Sequence, residues 1–147
     1  MLAYCMIIVD VNLLLYAVIT GFPQHDRARD WWERTVNSAS EIGFVAPALF
    51  GFLRLSTSRR VLEPPLSVPV AVGYVRSWLD QPNVRFLTPG PRHLDIAFAL
   101  LEKAGTAANL TTDARLAAYA IEYGAELHSN DTDFGRFPDL RWINPLQ

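Results

Sequence analysis

The sequence predicts an α/β fold: a three-layer sandwich around a mostly parallel central sheet of four to five strands. Three observations lead there. Short apolar runs of strand length alternate with longer helix-compatible segments along the whole chain. Their order reads β-α-α-β-α-α-β-α-α-β-β, and helices set between successive strands give parallel crossovers that cover both faces of a sheet. The chain has 147 residues, 50% of them apolar, which suits one sheet-centred core. Residues 1–147 are therefore read as a single domain with no linker and no repeats.

Met6-Ile7-Ile8-Val9 is a short apolar run that ends in Asp10 and reads as a buried strand. Asn12 to Ile19 is helix-compatible and apolar nearly all round, until Gly21 and Pro23 stop it. His25 to Ala39 is a second helix with Ala28, Trp32, Thr35, Val36 and Ala39 on one stripe, which leaves Trp31 at the edge of that stripe, suited to a partner interface. Ile42 to Val45 is the second strand, and Pro47 opens the next helix, where its missing N–H is no loss. Pro64-Pro65 marks a loop. Val68 to Leu79 is helical, with Val72, Val75 and Leu79 in register.

Val84 to Leu87 is the third strand. The helix Pro91 to Ala104 is stopped by Gly105 and turns Leu94, Ile96, Ala97, Phe98, Leu100 and Leu101 inward. Thr112 to Tyr123 carries the clearest helix signals: a Thr cap, Asp113 in the first turn and Gly124 as the stop. Glu126 to Ser129 is a fourth strand and Leu140 to Ile143 a fifth.

Composition excludes several classes. The single cysteine, Cys5, builds neither a disulfide framework nor a cysteine zinc site. The apolar N-terminal stretch imitates a signal peptide, but Asp10 and Asn12 interrupt it and no Lys or Arg precedes it. It reads as buried structure of a cytoplasmic protein with no membrane association. Met6 stands just before the first strand, so residues 1–5 read as an alternative start or a loose end. The net charge of −2 gives no support for broad electrostatic attraction to nucleic acid, although 12 of the 13 basic residues are Arg, which suits planar recognition of phosphate. No glycine-rich phosphate loop is present. His25, His93 and His128 lack metal-like spacing and read as solvated or packed side chains.

The carboxylates are more informative. Asp10 ends strand one, Asp113 opens the helix before strand four, and Asn130, Asp131 and Asp133 follow strand four. Ligands of open α/β sheets gather at the carboxyl ends of the strands, so residues from both ends of the chain converge there. Asp113 joins them if the Gly105–Thr111 loop brings its helix to the same edge. Each has a plain structural reading as well: Asp10 as a helix N-cap, Asp113 at the positive end of its helix, Asp131 and Asp133 as turn residues. Yet two unit charges about 4 Å apart repel by about 4 kcal/mol at an effective dielectric near 20, so such a cluster needs a cation. An oxygen-only donor set selects Mg²⁺, with Mn²⁺ as the alternative, and the chemistry built on it is phosphoester hydrolysis.

Three segments in order, IIVDVNLLLYA, TTDARLAAYAIEYGAEL and SNDTDFGRFPDLRWINPL, resemble PIN-domain ribonucleases over nearly the whole chain, and most of all VapC-like toxins of bacterial toxin–antitoxin pairs. The resemblance implies a Mg²⁺-dependent endoribonuclease, a homodimer, and inhibition by a co-expressed VapB-like antitoxin. It implies catalytic roles for Asp10, Asp113, Asp131 and Asp133, with Asp10, Asp113 and Asp131 as metal ligands. Asn12, Thr112, Asn130 and Thr111 are supporting candidates, and Arg54, Arg115 and Arg136 are candidates for RNA contact.

One feature departs from the family. Its common Glu on the helix after strand two has no counterpart, since Pro47 to Arg54 holds no acid and Gly51 or a neighbour takes the place. Glu41 precedes strand two, at the wrong end. The departure implies one metal rather than two, or recruitment of Asp133. It also motivates an alternative, a degenerate PIN domain that binds RNA or a protein without cleavage. A haloacid-dehalogenase-like phosphatase is a weaker alternative, because Asn12 cannot donate the proton that fold needs and Lys103 is poorly placed.

Overall fold

A computed structural model of the chain describes residues 5–147. The reading of the first residues as a start or a loose end falls, apart from Cys5, outside them. The strands are β1 (Met6–Val9), β2 (Glu41–Val45), β3 (Val84–Leu87), β4 (Glu126–His128) and β5 (Trp142–Ile143). The helices are α1 (Val11–Val18), α2 (His25–Val36), α3 (Ala46–Ser56), α4 (Val68–Leu79), α5 (His93–Ala104) and α6 (Thr111–Tyr123). Every strand pair is parallel, in the order β3-β2-β1-β4-β5, so the expected sandwich is present with five strands.

Alternation along the strands makes the layers. Ile7 and Val9 of β1 face one core with Ile42 and Phe44 of β2, and α1 to α4 cover it through Leu13, Leu14, Trp31, Phe52 and Trp78. Ile8 and Val45 face the opposite core, which α5 and α6 cover through Leu100, Leu116, Ala117 and Tyr119. The chain moves from β1 outward to β2 and β3, then returns to the other side of β1 with β4 and β5. Strand order reverses between β1 and β4, and such a switch point opens a crevice at the carboxyl edge of the sheet.

Several local readings need correction. Trp31 does not lie at an exposed edge: it is 4% exposed and belongs to the core. α2 ends at Val36 rather than Ala39, and its buried face is Ala28, Trp31 and Thr35. On α5 only His93, Ala97 and Leu100 are buried, while Leu94 and Phe98 face outward at 62% and 54% exposure. A helix packed on one side buries one stripe, and two apolar stripes do not fit the same side. The start of α6 carries no threonine cap. A 3₁₀ turn, Ala108–Leu110, runs straight into it, so Leu110 takes the cap position and the Thr111 hydroxyl donates back to the Ala108 carbonyl. The C-terminal stop is as expected, with Gly124 in the left-handed region (φ 64°). Among the described residues, no helix is long and apolar enough to cross a membrane.

Candidate metal centre

Asp10 stands at the switch point. Its backbone N–H continues the sheet by donating to the His128 carbonyl at 3.0 Å. Its extended backbone turns the chain into α1, and its Oδ1 accepts the Val11 N–H at 2.7 Å, so the capping reading holds. Oδ2 accepts the Ser129 hydroxyl at 2.7 Å and the Asn12 amide at 3.3 Å. A carboxylate offers about four acceptor positions, so three bonds leave one. Asp10 is 8% exposed, and burial pushes its pKa up. The Ser129 hydroxyl and the Val11 N–H pull it back, and the negative charge of Asp131 raises it further.

The segment after β4 is built on Ser129. Its hydroxyl oxygen accepts the Asp131 N–H at 3.0 Å and the Asn12 amide at 3.3 Å. Asn12 Oδ1 accepts the Asn130 N–H, and the Asn130 amide donates to Asn144 Oδ1, both at 3.3 Å. Asp131 then caps a 3₁₀ turn, Thr132–Arg136, by accepting the Asp133 N–H at 2.9 Å. That turn directs Asp133 to the same place as Asp131.

The first turn of α6 delivers Asp113 to this edge. One carboxylate oxygen from each of Asp113, Asp131 and Asp133 lies within 4.8 Å of the others. Partial burial, followed by the charges of Asp131, Asp10 and Asp133, pushes the Asp113 pKa up to about 7. Of the four carboxylates named from the sequence, Asp113, Asp131 and Asp133 converge, with Asp133 closer to the other two than the turn reading gave reason to expect. Asp10 borders this trio and couples to it by charge. The donor set is oxygen only, and without a cation it does not sustain full ionisation near neutral pH. Both facts fit Mg²⁺ or Mn²⁺.

The other candidates divide. Asn12 and Asn130 belong to the network. Thr112 is exposed on the first turn of α6 and makes no side-chain hydrogen bond among the described residues. Arg54, Arg115 and Arg136 are exposed, and none forms an ion pair among the described residues. Gly51 packs on α1, where an added Cβ would lie 3.3 Å from Val11, the residue after Asp10. Glu41 pairs with Arg85 at 3.0 Å and opens β2, at the far edge of the sheet. His128 is buried, with Trp31 and Glu126 on its two ring nitrogens at 3.1 and 3.2 Å.

The sequence reading missed Ser129, Trp142 and Asn144. Trp142 donates its indole N–H to the Ser129 carbonyl at 3.0 Å. Ser129 had a signal, a hydroxyl two residues before Asp131 in a polar turn. The other two depend on β5 lying beside β4, which local pattern does not encode.

Comparison with known families matches residues 7–140 to the PIN domain. The chain belongs to the PIN domain family. Ribonuclease VapC33 of Mycobacterium tuberculosis is 66% identical over 142 residues, covering 97% of this chain and 99% of that protein. Ribonuclease VapC37 of the same organism is 41% identical over 138 residues, covering 94% and 96%. The fold is shared with VapBC2 from Rickettsia felis, solved bound to a DNA fragment from its promoter. There the TM-score is 0.71 at 18% identity, over 95% of this chain and 98% of that one. This PIN domain is therefore of the VapC-like ribonuclease kind that the three sequence segments resemble, and the phosphatase alternative is set aside.

Proposed function

We propose that this PIN domain is the toxin of a toxin–antitoxin pair, a Mg²⁺-dependent endoribonuclease that hydrolyses RNA phosphodiester bonds. The observation that carries the reading is the Asp113, Asp131 and Asp133 trio, with Asp113 held near a pKa of about 7. Asp113 and Asp131 would hold the ion directly, with Asp133 beside them where the family's Glu is missing and Asp10 coupled to them by charge. A bound divalent cation supplies water activation and neutralises charge on the phosphodiester and the leaving oxygen.

The chain's own residues do the rest. Ser129 and Asn12 hold Asp10 in one orientation. Asp113 gives up its proton as the site is loaded, since metal ligation and protonation compete for the same oxygens. Among the described residues Arg54, Arg115 and Arg136 have no carboxylate partner, and they offer forked donors to RNA phosphates.

The protein's other partner in this reading is a VapB-like antitoxin, and its compartment is the cytoplasm. The homodimer is supported by Phe50, Phe86, Leu94 and Phe98, large apolar side chains left more than half exposed. The degenerate, binding-only alternative rests on the absent acid at Gly51.

The test is cleavage of bulk bacterial RNA by purified protein. Cleavage should require Mg²⁺, stop with EDTA and be lost in Asp10→Asn. Cleavage that survives both EDTA and the substitution contradicts the reading. RNA binding with no cleavage at any divalent concentration favours the degenerate alternative.

A further inference from the structure

We propose that Trp31 is a positioning residue of this site: its indole N–H fixes the buried His128 ring and, through it, the end of β4, which is bonded to Asp10 at the end of β1 and leads into Asp131. The proposal rests on reading the carboxylates as a metal centre. Trp31 Nε1 lies 3.1 Å from His128 Nδ1, and the two rings are 5.9 Å apart. An indole nitrogen only donates, so Nδ1 must accept and carries no proton. The neutral ring then holds its proton on Nε2, which faces Glu126 Oε1 at 3.2 Å. Two bonds of opposite sense select one tautomer and one orientation.

The main chain of the same residue is part of the site. The His128 carbonyl accepts the Asp10 N–H, and Ser129 follows directly, bonded to Asp10 and to Asp131. A second indole, Trp142, donates to the Ser129 carbonyl from β5. Two tryptophan N–H groups from different layers thus hold two consecutive residues at the end of β4. Packing alone does not require this arrangement. An apolar side chain at 128 would fill the same core, whereas a buried imidazole costs stability unless both nitrogens are paired. Trp32 provides the contrast within α2: it packs on Phe44 and Trp78 at 5.9 and 6.3 Å and makes no indole hydrogen bond among the described residues.

Nitrogen-detected NMR of the histidine rings and Mn²⁺ titration of the full chain test the proposal. The wild type should show His128 with its proton on Nε2 and a bare Nδ1. Trp31→Phe keeps an aromatic ring but removes the donor. It should shift the Nδ1 resonance toward that of an unbonded ring nitrogen, since Glu126 still holds the proton on Nε2, and weaken Mn²⁺ binding about tenfold, the lower end of what loss of a ligand-orienting contact costs. Trp32→Phe should leave both readouts as in the wild type. A proton on Nδ1 in the wild type overturns the proposal without any variant. So does Mn²⁺ affinity that is equal in wild type and Trp31→Phe, or lowered equally by both tryptophan substitutions. Failure of the wild type to bind Mn²⁺ is a different result: it overturns the metal-centre reading, and the positioning role with it.

Discussion

Ser129 donates its hydroxyl proton to Asp10 Oδ2 at 2.7 Å, joining the ends of β4 and β1 across 119 positions of sequence. The Ser129 hydroxyl oxygen also accepts the Asp131 N–H, so a single hydroxyl sets the relation between the two carboxylates on either side of the switch point.

Ser129→Ala should therefore act on both. The Asp10 carboxylate loses a buried donor, at a cost of about 1–3 kcal/mol in stability. RNA cleavage should fall by about 10–100-fold, as for loss of a group that orients a metal ligand. Ser129→Thr keeps the hydroxyl and should recover most of the rate. Thermal melts and cleavage rates of the two variants check this.

Asp113 makes the metal-free protein sensitive to pH. Its folded pKa, about 7, lies above the unfolded value of 3.8. The stability this implies is full below the lower value and is lost as pH rises through the upper one. In EDTA, Asp113→Asn should melt above the wild type at about pH 8, and the gain should vanish near about pH 4. Paired melting curves across that window check the sign.

Metal should reverse the same penalty. Saturating Mn²⁺ should raise the melting temperature of the wild type at about pH 8, and less at about pH 5.5, where protons compete for the ligands. Asp113→Asn should lose most of the Mn²⁺ response. A shift of equal size in both proteins places the ion elsewhere.

In the proposed function Arg54, Arg115 and Arg136 contact RNA through charge. Each change to Ala should weaken binding across sequences and reduce the slope of log affinity against log salt by about 0.7, the single-strand value per phosphate. Fluorescence titrations at several salt concentrations read this directly.

Leu94 and Phe98 lie on the same exposed side of α5. Replacing both with Asp should leave the melting temperature within a few degrees of the wild type and convert a dimer to a monomer in light scattering. A monomeric wild type removes the homodimer from the account.

Much of this was legible in the sequence because it is written in local pattern. The continuous burial of β1 and the helical stop at Gly124 follow from local sequence. So does the fall of Asp10 and Asp131 at strand ends. Asp113 required tertiary structure, since only the loop after Gly105 brings α6 to the carboxyl edge. Trp31 was misplaced because neighbouring tryptophans on one helix compete for the core, and the pattern does not say which side chain has a polar partner there. His128, at the end of β4, supplies that partner. Leu94 and Phe98 were misread for the opposite reason: apolar residues count as core in a single sequence even when they face outward. Asp133 entered the trio through the turn that Asp131 caps, a contact of two residues whose direction is set by the network on Ser129.

The central claim is that these carboxylates hold one divalent cation. Anomalous diffraction from crystals grown with Mn²⁺ tests it most directly. A peak should lie within coordinating distance of the Asp113 and Asp131 carboxylates, with Asp133 adjoining. A site saturated with Mn²⁺ that shows no peak there, or a peak bound by other residues, contradicts it.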